Sequence, residues 1–330
     1  MLSKKISIKK INAEIESDAR KLILDTESRY RGQLFALVEK ILEKRDTNMV
    51  LLSGPSCAGK TTSARLLKEI LEKRGRHVIT ISMDDFFINR KDTPLLPDGS
   101  KDFDSPRALN MELMKKCFTK LFKEGKATFP EYDFITGINN HEAKEVELKY
   151  NSIIIFEGLH ALNPLLIENI GTTKYYKIYV NAMNHFKLDK NVMDSVDIRL
   201  FRRIVRDIAR RQYSVKHTLE NWGAVCAAEN EYITKYKKQA NAIVNTTHEY
   251  ELGVLRTAFE EMIANGQAKY SQLPFAEMIQ AATPVDKCLL PDTTLMWEFV
   301  DAPNPDDKLA YEIDNKITTR FKNIRDDFYE

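Results

Sequence analysis

Cysteine is scarce in this chain. The four present, Cys57, Cys117, Cys226 and Cys288, stand far apart and form no C-x-x-C pair, which points away from a zinc site and a disulfide framework and fits a reducing compartment. No apolar run approaches the length of about 18 residues needed to cross a bilayer. The opening MLSKKISIKK also lacks the apolar core of a secretory leader, so a cytoplasmic protein with no membrane partner is expected. An excess of one charge is missing as well: 50 Lys and Arg against 48 Asp and Glu leave a formal +2. Global charge therefore gives no reason to expect nucleic acid or an anionic surface, and any basic site must be local. Internal repeats and low-complexity tracts are absent too. What remains is a chain of 330 residues, 43% hydrophobic and 30% charged, with apolar mass for a sizeable core in one large domain with additions or in two.

Residues 11–45 space Leu34, Leu37, Val38, Ile41 and Leu42 near the 3.6-residue period, which predicts one or two amphipathic helices. From residue 48 the pattern changes to short runs rich in β-branched residues, MVLLS, HVITIS, SIIIF, YYKIYV and AIVN, separated by helical stretches. Near-continuous apolar strands alternating with helices predict an α/β fold with a parallel sheet covered on both faces. Between the second and third runs, ATFPEYDF, a polar turn at residues 136–140 and AKEVELKY predict an inserted hairpin flap over about 127–150. Prolines at 274, 284, 291, 303 and 305 break the pattern near the end. The expected organisation is N-terminal helices over 1–47, a core domain over 48–270 and a partly irregular extension over 271–330.

The stretch Gly54-Pro55-Ser56-Cys57-Ala58-Gly59-Lys60-Thr61 satisfies G-x-x-x-x-G-K-[ST], with a strand before it and a helical pattern after it that closes at Gly75. The glycines let the backbone curl so that successive N–H groups face an anion, and the helix N-terminus adds its dipole. Lys60 reaches the β- and γ-phosphates, and the Thr61 hydroxyl suits Mg²⁺. The expected ATP contacts run from Gly54, Pro55, Ser56, Cys57 and Ala58 through Gly59, Lys60 and Thr61 to Thr62. Cys57 reads as a small filler of the loop.

A phosphate loop by itself does not separate a small-molecule kinase from a GTPase or a regulatory ATPase. HVITISMDDFF carries Asp84 and Asp85 to the C-terminal edge of the sheet, where ligands of open α/β folds sit. A carboxylate there can orient an acceptor hydroxyl and take its proton, although the same pair would also serve to open a solvated loop. IIIFEGLH places Glu157 at the same edge as an expected partner of the metal, with His160 beyond it read as structural.

The strongest local charge lies in VDIRLFRRIVRDIARRQY, residues 196–213. At 100° per residue Arg199, Arg203, Arg206 and Arg210 share a stripe with Arg202 beside it, while Ile198, Phe201, Ile204, Val205 and Ile208 face the other way. Like charges on one face repel, and only Asp207 is interspersed among the arginines, so a lid over about 192–240 that closes on a transferring phosphoryl group is expected. A passive basic face is the alternative.

SMDDFF, DFDSP, PEYDF, IIIFEG and RLFRRIVRDIARR, in that order after a phosphate loop, resemble the uridine-cytidine kinase family of the phosphoribulokinase/uridine kinase group, over about residues 48–250. The stretch LPDTTLMWEFV and the helix before the phosphate loop are similar to longer uridine-kinase-like proteins, whose synthetase-like front module is not seen here. The resemblance implies Asp84 as general base toward a nucleoside 5′-hydroxyl and Asp104 on the ribose hydroxyls. It further implies Tyr132 and Phe134 at the base, Arg199 on the sugar side, and Arg202 or Arg203 with Arg211 on the phosphates. Read from the strand alone, Tyr132 and Phe134 stack on a ligand or on a core equally well.

Three departures stand out. Gly137 and Asn139 replace a base-reading histidine and an arginine, Arg211-Gln212-Tyr213 replaces Arg-Gly-Arg, and Phe87 replaces a tyrosine. The sequence thus predicts a P-loop kinase using ATP and Mg²⁺, with Lys60, Asp84 and Arg203 catalytic and Thr61 and Glu157 at the metal. The 5′-hydroxyl of uridine or cytidine is the expected acceptor. Another alcohol, such as pantothenate or a sugar phosphate, or an inactive nucleotide-binding or RNA-associated protein, are the alternatives. Relatives of this kind commonly assemble, so a homo-oligomer is compatible with the reading.

Overall fold

The computed structural model describes residues 3–44, 46–96, 99, 101–168, 170 and 174–302; the prolines at 303 and 305 and the rest of the C-terminal stretch lie outside the described residues. The chain begins with β1 (Lys5–Ser7) and α1 (Ile8–Glu43), then β2 (Met49–Ser53), α2 (Lys60–Lys73) and β3 (His77–Ser82). Next come α3 (Met111–Glu124), the hairpin β4 (Lys126–Asp133) and β5 (Ile138–Glu147), β6 (Ser152–Glu157) and α4 (Pro164–Ile167). It continues through β7 (Tyr175–Asn181), β8 (His185–Leu188), β9 (Asn191–Met193), α5 (Ser195–Arg211) and α6 (Val215–Tyr232) to β10 (Ala242–Asn245), α7 (Glu251–Ala264) and α8 (Ala276–Ala281).

The five runs anticipated from composition form one sheet in the order β10-β7-β2-β6-β3, with every neighbouring pair parallel. Its strands are apolar at successive positions because both faces are covered. Val50, Leu52, Ile153, Ile155, Ile178 and Val180 pack into one cluster with α1, α2, α5 and α7. Their alternates Met49, Leu51, Ile154, Phe156 and Tyr179 pack into a second with α3 and the hairpin. That two-residue alternation, buried on both sides, is what makes the strands unreadable as half-exposed.

Helix α1 is one long element interrupted at Asp18, whose backbone leaves the helical region (φ −161°, ψ 87°) and whose carboxylate accepts from the Lys21 N–H at 3.0 Å. Asp18 thus caps the second segment. The small sheet β1-β8-β9 was not anticipated, since strands of three or four residues carry too little periodicity to read. Residues Leu295, Met296, Phe299 and Val300 share the apolar cluster of α1 and the sheet. Buried Glu27 of α1 ties these parts together, accepting from Tyr250 Oη and, at 2.5 Å, from Thr294 Oγ.

Candidate active site

The phosphate loop leaves the C-terminal end of β2, the central strand. Gly54 presses against the neighbouring strand: a Cβ there would lie 2.1 Å from the Val180 carbonyl oxygen, so only glycine fits. The loop passes through Cys57 at φ 56° and Gly59 at φ 89° before α2 begins. In α2 the Ser63 N–H reaches the Gly59 carbonyl at 3.1 Å, and the N–H groups of Lys60, Thr61 and Thr62 precede that first helical bond; the Thr62 N–H is taken by Glu298 Oε2 at 3.3 Å. Lys60 Nζ rests on the Pro55 carbonyl at 3.0 Å. At the far end of α2, Gly75 adopts φ 76°, and the Arg76 N–H returns to the Leu71 carbonyl to close the helix.

Two carboxylates meet this loop at the edge of the sheet. Glu157 closes β6 opposite Ser82 of β3, and the Ser82 hydroxyl donates to Glu157 Oε1 at 3.3 Å and accepts from the Asp84 N–H at 3.3 Å. Burial, reinforced by the Asp84 charge and opposed by Lys60, pushes Glu157 up to about 7. Burial also raises Asp84, against the pull of Lys60 and Arg211. The charge of Lys60 thus reaches both carboxyls, and that of Arg211 reaches Asp84. Asp104 joins them: burial lifts it to about 6 while Arg203 and Lys60 draw it down. Asp85 is pushed to about 6 by burial, with a hydrogen bond from the Tyr132 backbone opposing the rise. His160 is buried and driven down to about 4 by desolvation, so it is neutral.

A divalent ion would relieve the two carboxylates whose ionisation burial penalises. Among the described residues no cluster of three or more His, Cys, Asp or Glu side chains forms a self-sufficient metal cage. Mg²⁺ fits such a setting, because it is held by one or two carboxylates together with the phosphates of its ligand. Thr61 and Glu157 supply hard oxygens of the right kind.

The arginine helix starts with a capping box, Asp194 accepting from the Asp197 N–H and Asp197 answering the Asp194 N–H. Its apolar face, Ile198, Phe201, Ile204, Val205 and Ile208, is buried as anticipated. The crowding of positive charge is met differently from the expectation, by carboxylates of the chain itself. Arg199 Nη1 binds Glu229 of α6 at 2.8 Å and the Ser56 carbonyl at 3.0 Å. Arg202 is fully buried, held by Glu251 at 2.7 Å, by the Thr246 carbonyl at 2.7 Å and by the Cys57 carbonyl at 3.2 Å. Its guanidinium props the loop from behind. Asp207 gathers Arg203, Arg206 and Arg211 at 3.4, 2.7 and 3.7 Å. Arg203 Nη1 also donates to Ser56 Oγ at 3.0 Å, and Arg211 keeps a half-exposed side chain near Asp84. Arg210 instead binds the Val300 carbonyl at 3.2 Å.

On the hairpin, Tyr132 and Phe134 part company. Tyr132 is buried against Phe87 at 5.5 Å and Phe134 at 5.0 Å, whereas Phe134 is 57% exposed. A cavity of about 610 Å³ opens on the hairpin between Tyr132, Phe134, Ile138 and Asn140; its lining does not include Asp84 or Asp104. Gly137 has φ 73°, and a Cβ there would lie 2.6 Å from Arg90 Cβ. The Arg90 guanidinium grips the turn through the Phe134 and Ile135 carbonyls. Asn139 fastens the hairpin to the loop after β3, its Nδ2 donating to the Asp85 and Phe87 carbonyls at 2.7 and 2.8 Å. Glu229, Glu251 and Glu298 were not anticipated. Glu229 and Glu298 stand 173 and 236 residues from the loop residues they bind, and no local pattern marks any of the three.

Comparisons with known proteins identify the family. The model of the phosphoribulokinase/uridine kinase family matches residues 49–252, more than half of the chain. A uridine kinase of Mycoplasma genitalium is 27% identical over 217 residues, covering 65% of this chain and 93% of that protein. One from Halobacterium salinarum is 25% identical over 194 residues, covering 58% and 77%. The solved structure of a possible uridine kinase from Bacillus stearothermophilus covers 65% of this chain and 98% of its own, with a TM-score of 0.44 at 18% identity. A strand-ending phosphate loop, acidic ends on the two strands to one side of it, and a matching family model over the whole of that unit lead to one statement: the chain belongs to the phosphoribulokinase/uridine kinase family.

Proposed function

We propose that this kinase transfers the γ-phosphoryl group of ATP, with Mg²⁺, to the 5′-hydroxyl of uridine or cytidine. The observation that carries the reading is Asp84, half-buried just past the end of β3, where its N–H and Glu157 share the Ser82 hydroxyl and its charge is felt by Lys60 and Arg211. That arrangement sets a proton acceptor beside the cations that serve a transferring phosphoryl group. In this scheme the loop N–H groups and Lys60 hold the triphosphate, and Asp84 orients the acceptor hydroxyl and receives its proton. Arg203 and Arg211 stabilise the charge spread over the moving phosphoryl oxygens. Mg²⁺, when bound, neutralises phosphate charge from its seat at Thr61 and Glu157. Asp104 accepts from the sugar hydroxyls, and Phe134 offers an exposed ring to the base. Arg199 and Arg202 act by position, bracing Ser56 and Cys57 from the α5 side.

A second acceptor is favoured by one specific observation. Gly137, packed on Arg90 in a left-handed turn, has no side chain with which to read a pyrimidine edge. A site that loses such a hydrogen bond can change substrate while keeping its chemistry. ADP release should therefore be measured with uridine, cytidine, other nucleosides, pantothenate, ribulose 5-phosphate and no acceptor. Stimulation by uridine or cytidine, lost in Asp84→Asn by a factor of about 10³ with ATP binding retained, is the expected result. Full turnover in Asp84→Asn would remove the assigned base; stimulation by a different alcohol alone would replace the acceptor.

A further inference from the structure

We propose that the Glu298 carboxylate holds the place of a nucleotide phosphate at the start of α2 and competes with ATP for it, so that this side chain sets the affinity of the loop for nucleotide. The inference rests on the phosphate-loop reading above.

Glu298 Oε2 accepts from the Thr62 N–H at 3.3 Å and from the Thr62 hydroxyl at 3.0 Å. The Thr62 N–H is the last donor of α2 before helical bonding begins, one of those a phosphate loop turns toward its ligand. An anionic oxygen on the donors of a helix N-terminus is chemically a substitute for a phosphate oxygen. The charge of Glu298 is felt across the rest of the site, adding to the rise of Glu157 and supporting the charge of Arg206. Among the described residues Glu298 forms no ion pair, in contrast to Glu229, which meets the Ser56 N–H at 2.7 Å while paired with Arg199.

The backbone that presents Glu298 is fastened. Leu295, Met296 and Phe299 are buried, and Leu295 lies over Gly59. Trp297 Nε1 donates to the Pro291 carbonyl at 2.9 Å, and Arg210 holds the Val300 carbonyl. Displacement therefore needs rotation of one half-buried side chain and leaves the segment in place. An incoming triphosphate must expel a like charge from donors it would otherwise meet free.

Calorimetric titration of the full chain with ATP and, separately, with adenosine tests this, using wild type, Glu298→Gln and Glu298→Asp. From the anchored turn an aspartate is too short to reach Thr62. The Kd for ATP should fall about tenfold in Glu298→Gln and fall also in Glu298→Asp, with the Kd for adenosine unchanged. ATP binding gained only by the variants would support the competition equally. An unchanged or weaker Kd for ATP overturns the proposal, as does an equal shift for adenosine, which would make Glu298 a nucleoside contact. If Glu298→Gln does not fold, the aspartate variant decides. Binding of ATP by none of the three proteins overturns the phosphate-loop reading itself.

Discussion

Around Ser56 and Cys57 the guanidiniums of α5 are paired: Arg199 with Glu229, Arg202 with Glu251, and Arg203, Arg206 and Arg211 with Asp207. Across the cleft the hairpin leaves Phe134, Ile135 and Ile138 exposed. The phosphate side is held in shape by mutually dependent ion pairs in which each member supports the next. The hairpin is a two-stranded flap gripped at its turn by Arg90. A phosphate asks the same geometry of every kinase, whereas acceptors differ, so under the proposed function the braced side is the one that meets the shared ligand.

The largest test of this contrast is Arg202→Ala. It leaves Glu251 charged and buried, and denaturant unfolding should show a loss of about 3–5 kcal/mol. A loss below about 1 kcal/mol would show that the phosphate side is not braced in this way. The next effect is on pH. Burial and Asp84 raise Glu157 to about 7, and burial raises Asp104 to about 6, so the native state binds protons that the unfolded chain has released. Their contribution to stability is complete below the ordinary carboxylate range and is lost as pH rises through about 6 for Asp104 and about 7 for Glu157. Thermal unfolding of the unliganded protein should show that decline, and Glu157→Gln should flatten its upper part. An unflattened profile would assign the decline to other groups.

On the hairpin, Gly137→His meets both the left-handed backbone and Arg90, and should cost about 1–3 kcal/mol of stability. Adding Arg90→Gly, which removes the Cβ as well as the guanidinium, relieves the steric part and recovers some of the loss; strict additivity of the two changes would deny their contact. The smallest effect concerns Gln212, which ends α5 at φ 56° in a conformation glycine adopts freely. Gln212→Gly should raise stability by about 0.5–1 kcal/mol, measured as a shift in Tm.

Much of the sheet was legible because its signal is local. Five apolar runs mark strands buried on both faces, and the loop motif joins β2 to α2 within a few residues. The hairpin was legible from its turn, but its two aromatics were not separable. Tyr132 turns into the cluster of Phe87 while Phe134 turns outward, a choice made by what packs behind the strand. In α5 the stripe of arginines and its apolar counterface were visible from periodicity. Periodicity alone predicts a lid awaiting an anion, since only Asp207 is interspersed among the arginines, and the acids from α6 and α7 that complete the balance come from elsewhere in the chain.

The amino-acid order by itself determined the strands of the five-stranded sheet, the phosphate loop and the acidic residues at the strand ends, because periodicity, turn chemistry and strand termination act over a few residues. The tertiary structure alone decided which arginines are braces and which reach the cleft, that Arg90 stands against Gly137, and that Glu298 lies on Thr62. Those outcomes depend on contacts between segments tens to hundreds of residues apart, and ion pairing, burial and the raised carboxyls at the cleft exist only once those segments have been brought together.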